Sequence, residues 1–514
     1  MAGVKRLAVI DMGSNSFRCV VFDYEPGRSW ALTDEIREPV RIGAGMGDER
    51  TLKPEPVERA LHTAAVFASF CRASEIDDVV AVATSAIRDA SNRDELLERI
   101  ERDTGLEVKV ISGWEEAYYG YLAIANSTTI GDGFGIDIGG GSVQLMRLVE
   151  RALESAESVP LGAVRVSEAF LPADEASAKE LKALRKHARK QLEAIEWLRA
   201  DDGPRRLAGV GGTIRNLAAA AQKRIEGYPD IDVQGFELSH AALEELISEL
   251  AALPASKRGT VRGIKPDRGD VILGGAVVLA AAMECGGFES VEVAEAGLRE
   301  GIFFERFLAG HDPALLDDVR RAWVRNLSHR FHPEPAHVEH VAKLSLEVYD
   351  GLALAGALER SDEERELLWA ACMLHDVGAA IDYDDHHKHS YYLIEHAGLP
   401  GWTPRELLLI ALIARYHRKG EPDPAALGPL AHKGDERRLA LLCGVIRLTE
   451  QLERSRDQSI LSVAVAAADD RLRLDATPSS PAVDSSVAIW SARRNAGLLA
   501  SALGRELEIS RLGV

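Results

Sequence analysis

Two kinds of apolar pattern alternate along the chain. Leu7-Ala-Val-Ile-Asp-Met-Gly-Ser-Asn-Ser-Phe-Arg-Cys-Val-Val-Phe22 reads as a strand, a polar turn and a second strand. Gly133-Phe-Gly-Ile-Asp-Ile-Gly-Gly-Gly-Ser-Val-Gln-Leu145 repeats the arrangement, with a strand ending at Asp137, a turn of three glycines and a strand from about Val143. Asp78–Thr84 predicts another strand, flanked by helices over 52–76 and 92–104. Leu207-Ala-Gly-Val-Gly-Gly-Thr213 is a strand running into a helix. Residues 173–200 and 239–254 predict amphipathic surface helices, and the apolar run Val271–Met283, too short to span a bilayer, predicts a buried one. A boundary falls near Ala309, and from there to about 457 the pattern is helical. It alternates again over Ser459–Ala467 and Arg471–Asp475 before a helical stretch at Ser485–Gly504, the signature of a small α+β cap.

Composition narrows the class. At 514 residues, 46% hydrophobic and 28% charged, the chain has material for several globular domains. Five scattered cysteines without a CxxC pair argue against a disulfide framework and for a reducing cytoplasm. The N-terminal Met-Ala-Gly-Val-Lys-Arg leads into a run of only four apolar residues before Asp11, too few for a signal segment, so no membrane partner is expected. A net charge of −20 speaks against nucleic-acid binding, and any polyanion would have to meet locally concentrated cations.

The glycines at 139–141 leave backbone amides unshielded, able to close on an anion's oxygens, with the Asp137 carboxylate at the mouth of the turn. Asp11-Met-Gly-Ser-Asn-Ser16 repeats that logic: a carboxylate, a glycine, then hydroxyl and amide donors. Further on, Ser112-Gly-Trp-Glu-Glu-Ala opens a helix whose capping box uses Ser112 and Glu115, which leaves Glu116 free in the first turn.

Two strand–Asp–Gly-turn–strand units followed by Gly-Val-Gly-Gly-Thr resemble the actin/hexokinase/Hsp70 superfamily, with its ribonuclease H-like α/β lobes. Ile10-Asp-Met-Gly-Ser-Asn-Ser-Phe17, Ala83-Thr-Ser-Ala-Ile-Arg-Asp-Ala90, Ile111-Ser-Gly-Trp-Glu-Glu-Ala117, Ile136-Asp-Ile-Gly-Gly-Gly-Ser142, Gly211-Gly-Thr213 and Gly297-Leu-Arg-Glu-Gly301 together resemble the exopolyphosphatase/guanosine pentaphosphatase (Ppx/GppA) family, long form. The resemblance implies lobes at 1–125 and 126–308, a helical domain at 309–457 and a cap at 458–514. It implies removal of terminal orthophosphate from inorganic polyphosphate, or of the 5′-phosphate of pppGpp, by a homodimer using Mg²⁺ or another divalent cation. Glu116 would be the catalytic base and Arg88 a bidentate phosphate clamp; Asp11 and Asp137 would face the metal. Ser14, Asn15, Gly140, Gly141, Ser142, Gly212 and Thr213 would donate to phosphate. Where the family commonly reads Ser-Thr-Glu, this chain has Ser142-Val-Gln144, so a neutral amide replaces a charge near the metal.

In the helical region, His337, the His375-Asp376 doublet and Glu450 resemble the metal ligands of HD phosphohydrolases, with Glu where that pattern has Asp. Lys388, His389, His417, Arg418 and Lys419 are its strongest basic cluster and would line a channel that threads polyphosphate toward Glu116. Two readings of other classes remain at this point. One is a sugar or acetate kinase of the superfamily, against which the Ser-Gly-x-Glu-Glu match argues; the other is a non-catalytic polyphosphate or alarmone sensor.

Overall fold

Each strand–turn–strand segment opens a sheet in the computed structural model, which describes residues 3–47, 49–199, 205–331, 334–468 and 471–512. The strands β1 (Lys5–Met12), β2 (Phe17–Glu25) and β3 (Ser29–Glu38) form an antiparallel meander. β4 (Asp78–Ala83) and β5 (Val108–Val110) add parallel to β1, giving the order β3-β2-β1-β4-β5. Leu7–Ile10 of β1 and Cys19–Phe22 of β2 are apolar and buried on successive positions, because both faces of these strands are covered. The second sheet repeats the plan. β6 (Gly133–Ile138), β7 (Val143–Val149) and β8 (Ala152–Val159) form the meander, and β9 (Leu207–Val210) runs parallel to β6. β10 (Glu237–Ser239) and β11 (Ser290–Val293) complete the order β10-β11-β9-β6-β7-β8.

Helices cover these sheets with stripes at helical spacing. Pro54–Ala73 buries Ala60, Ala64, Phe67 and Cys71 in the core of the first lobe. Ala178–Leu192 and His240–Ala251 fall within the two predicted amphipathic stretches, position 200 lying outside the described residues. Ile272–Gly286 is buried almost throughout, and no helix among the described residues is long and apolar enough to cross a membrane.

Two helices are exchanged between the lobes, and they position the site. Gly113–Ala125 follows β5 but packs on β6, β7 and β8. Leu298–Phe307 follows β11 but packs on β1 and β2, with Phe303 stacked on Phe22 at 4.3 Å. Where they meet, a Cβ on Gly301 would lie 2.0 Å from the carbonyl oxygen of Tyr119, so this crossing requires glycine.

Contacts divide the chain into Met1–Ile225 with Val233–Val319, and Glu226–Asp232 with Arg320–Val514. Residues 309–319 therefore stay with the first unit; Asn126 binds them, donating to the Ala314 carbonyl and accepting from the Leu316 amide at 2.7 Å.

The second unit is built on Pro335–Leu354, Asp362–Leu374, Pro404–Arg415 and Asp435–Leu452. Leu367–Leu374 and Leu407–Ala414 are buried on every side, the mark of central helices. β12 (Ile460–Ala468), β13 (Arg471–Pro478) and β14 (Glu506–Arg511) form a three-stranded sheet. Its Ile460, Leu472 and Leu474 share one core with Val341, Leu344 and Val348, so sheet and helices are a single packing unit. The helical pattern at 485–504 is two helices, Ser486–Asn495 and Gly497–Leu503, and β14 follows them as a strand the pattern did not announce.

Candidate active site

The two glycine-rich turns face each other. A Cβ on Gly140 would lie 3.1 Å from that of Ser14, and one on Gly141 would fall 2.4 Å from Ser85 Oγ and 2.9 Å from Ser14 Oγ. Ser14 and Ser85 are joined through their hydroxyls at 3.0 Å. Arg165 braces the second turn, donating from Nε to the Gly141 carbonyl at 2.9 Å and pairing with Asp89 at 2.7 Å. Between the turns lies a cleft of about 130 Å³ lined by Ser14, Asn15, Gly140 and Gly212, with Asp11, Asp137 and Glu116 among its walls. Ser142 and Thr213 are buried, and Gly141 opens on an adjoining cavity.

Glu116 enters this cleft because of how its helix starts. Ser112 Oγ accepts from the Glu115 amide at 3.1 Å, and Glu115 Oε2 accepts from the Ser112 amide at 2.8 Å. Lys109 holds the other Glu115 oxygen at 2.7 Å; with the capping bonds it keeps that carboxyl down at about 2. Glu116 is sealed instead. Burial pushes its pKa up to about 7, opposed by Arg88, with Asp137 and Asp11 adding to the rise.

Arg88 does not take the clamp position expected of it. The single helical turn Ser85–Arg88 after β4 aims the guanidinium at the neighbouring helix start, where Nη1 donates to Glu116 Oε2 at 2.8 Å and to the Ile111 carbonyl at 3.1 Å. The cationic walls come from Arg18, Arg215, Arg268 and Arg299. Glu35 of β3 braces two of them, at 3.2 Å from Arg18 and 3.3 Å from Arg299. Arg215 Nη1 donates to the Glu295 carbonyl at 3.1 Å, and the Arg268 guanidinium lies against Gly212, where a Cβ would approach to 2.5 Å. Burial, then Arg299, lowers the pKa of Arg18 to about 10.

Asp11 and Asp137 end β1 and β6. Burial raises both, and Asp11 helps push Asp137 up to about 6. Asp11 Oδ1 is sealed from solvent without a hydrogen-bond partner among the described residues. Two neighbouring carboxylates, each disfavoured as an anion and one raised by the other, fit a shared hard divalent cation such as Mg²⁺. Gln144, directly opposite Asp137 in the β6–β7 ladder, donates from Nε2 to Ser142 Oγ at 2.8 Å and Ser158 Oγ at 3.1 Å, and its Oε1 is buried without a partner among the described residues.

In the second unit, His337, His375 and Asp376 converge with ligand atoms within 4.8 Å of one another. Glu450 lines the neighbouring cavity but is held by Gln451 and, at 3.9 Å, by Arg454. The basic cluster divides. Lys388 and Lys419 pair with Asp385 at 2.6 and 3.3 Å, His389 is half-buried, and Arg418 lies over Tyr383. His417 is buried against His386, and both line a cavity of about 700 Å³ together with Arg418.

A duplicated pair of lobes with facing turns over a cleft of carboxylates and arginines is the actin-like fold in a form suited to phosphoryl chemistry. The Ppx/GppA phosphatase family matches residues 20–309 and the Ppx/GppA phosphatase domain III matches residues 319–480; the chain belongs to the Ppx/GppA phosphatase family. Among solved structures, an Aquifex aeolicus member of that family is 28% identical, with a TM-score of 0.52, covering 60% of this chain and 100% of its own. An exopolyphosphatase from Cytophaga hutchinsonii is 24% identical with a TM-score of 0.54, covering 59% of this chain and 98% of its own, a likeness of fold.

Proposed function

We propose that this phosphatase is an exopolyphosphatase, releasing terminal orthophosphate from inorganic polyphosphate. The observation that carries the reading is the composition of the cleft: four arginines and two amide-rich turns face a buried glutamate, and no aromatic ring lines it among the described residues. At about 130 Å³ it is far smaller than pockets that enclose drug-sized ligands, roughly 300–1,000 Å³. That suits a terminal phosphoryl group better than a guanosine.

Glu116, in its ionised form, accepts a proton from water as the water oxygen bonds to the terminal phosphorus. The bridging P–O bond breaks, and the shortened chain leaves with the electron pair. Arg88 holds Glu116 Oε2 so that the other oxygen faces the water. Arg18, Arg215, Arg268 and Arg299 neutralise charge on the transferring group, and the turn amides orient it. Asp11 and Asp137 would hold Mg²⁺, which when bound would neutralise phosphate charge. A cytoplasmic homodimer acting on polyphosphate completes the reading, as the family implies.

Orthophosphate release from long-chain polyphosphate and from pppGpp, assayed side by side on the wild type and Glu116→Gln, tests it. Polyphosphate turnover abolished in the variant is the expected result. Faster release from pppGpp would reassign the chain as a guanosine pentaphosphate phosphohydrolase, and full activity in the variant would overturn the role of Glu116.

A further inference from the structure

Three histidines of the second unit are held in one way. His375 Nδ1 lies 2.7 Å from the Cys372 carbonyl, His386 Nδ1 2.8 Å from that of Tyr383, and His417 Nδ1 2.7 Å from that of Ala414. A carbonyl oxygen only accepts, so each Nδ1 carries a proton and each Nε2 is the basic nitrogen of the neutral ring. Such second bonds are what orient imidazoles that ligate metals. The Nε2 atoms turn inward on Asp376: that of His386 is 3.2 Å and that of His375 3.8 Å from Oδ1.

His386 and His417 supply the decisive relation. Their Nε2 atoms face each other at 3.1 Å, both buried. With both Nδ1–H groups engaged on carbonyls, two neutral rings would point lone pairs at each other. A cation between them removes the conflict.

We infer that Asp376, His386 and His417 bind a divalent first-row transition-metal ion. Their ligand atoms lie within 4.8 Å of one another, and the His337–His375–Asp376 triad adjoins through the shared carboxylate. Two imidazoles and one carboxylate suit zinc or iron better than magnesium. Arg456 holds Asp376 Oδ2 at 2.6 Å, which leaves Oδ1 toward His386. Three protein ligands leave coordination positions open. These face a cavity of about 700 Å³ whose walls carry Arg418, Arg454 and Arg456 beside Glu334 and Glu450; with the ion's own charge added, its exogenous ligand would be an anion of the phosphate class.

Co²⁺ is the probe, added to the full chain after chelator treatment. The expected result is at least one tightly bound ion per chain with a visible absorption band of nitrogen ligation. The band should be retained in Asp137→Asn and weakened at least tenfold in affinity in His386→Ala/His417→Ala. Orthophosphate release by the double variant checks that it folds. If it does not fold, imidazole ¹⁵N resonances of the wild type titrated with Zn²⁺ decide, with those of His386 and His417 expected to shift. Equal affinity in the wild type and a folded double variant, loss of the band in Asp137→Asn alone, or unshifted imidazole resonances at saturating Zn²⁺ would overturn the site. The last outcome would leave a proton as the cation between the rings.

Discussion

Arg88 Nη1 stands 2.8 Å from Glu116 Oε2, so this guanidinium is committed to the proposed base rather than to the cleft. Burial pushes Glu116 toward neutrality and Arg88 pulls it back, which poises the carboxyl at about 7.

The pair sets the expected pH profile. A base must be ionised, so orthophosphate release should rise with pH and level off above about 7. Glu116→Gln should lower kcat by about 10²–10⁴-fold. Arg88→Ala removes the opposing charge, so the acid limb should move to higher pH, with Arg88→Lys moving it less. An unshifted limb in Arg88→Ala would assign Arg88 a different task.

The same burial makes the site a cost to stability. Glu116 binds its proton more tightly folded than unfolded, so its contribution is fullest below the ordinary carboxyl value of 4.5 and is lost as pH rises to about 7. In metal-free protein, Glu116→Gln should therefore melt above the wild type at about pH 8, by roughly 1–3 kcal/mol in stability, with the gap closing near pH 4. Melting curves at the two pH values check this; a gap that widens toward acid would contradict the sign.

Gly301 is the test of the helix exchange. Adding one methyl drives a Cβ into the Tyr119 carbonyl at 2.0 Å, and backbone on both sides cannot yield as a flexible side chain would. Gly301→Ala should destabilise the first unit by about 1–3 kcal/mol or more. It should also lower activity through the displaced first turns that carry Glu116 and Arg299. A variant with wild-type melting would show that the crossing is looser than described.

What was legible in the sequence was local. The glycine turns, the capping box that separates Glu115 from Glu116, and the strand ends at Asp11 and Asp137 each depend on a few adjacent residues. The cleft arginines were not legible as a set, because Arg18, Arg215, Arg268 and Arg299 arrive from four separate elements and meet only in three dimensions. A local signal existed for each of them: Arg18 and Arg215 each lie two positions beyond a phosphate-turn residue, Arg299 sits inside Gly297-Leu-Arg-Glu-Gly301, and Arg268 closes the basic, Gly/Pro-broken stretch 257–268. The surroundings of His417 were not legible for the same reason. Its neighbours Arg418 and Lys419 are basic and more exposed, and nothing local marks that His417 is buried against His386, a residue distant in the chain.

Gln144 gives the sharpest test of the metal reading, because it faces Asp137 across the β6–β7 ladder and brings an amide where a carboxylate would add charge. Its Nε2 donates to Ser142 and Ser158, and both hydroxyls could instead donate to a carboxylate, so Gln144→Glu keeps the local bonds. The new charge should lower the Mg²⁺ concentration giving half-maximal activity by about tenfold, equivalent to about 1.4 kcal/mol. It should also weaken binding of the polyanion, since a further carboxylate would stand opposite Asp137, itself beside Asp11 and Glu116. Titrating Mg²⁺ at fixed polyphosphate, then polyphosphate at saturating Mg²⁺, separates the two effects. An unchanged Mg²⁺ requirement would place the metal away from the β6–β7 turn and remove Asp137 from its ligands.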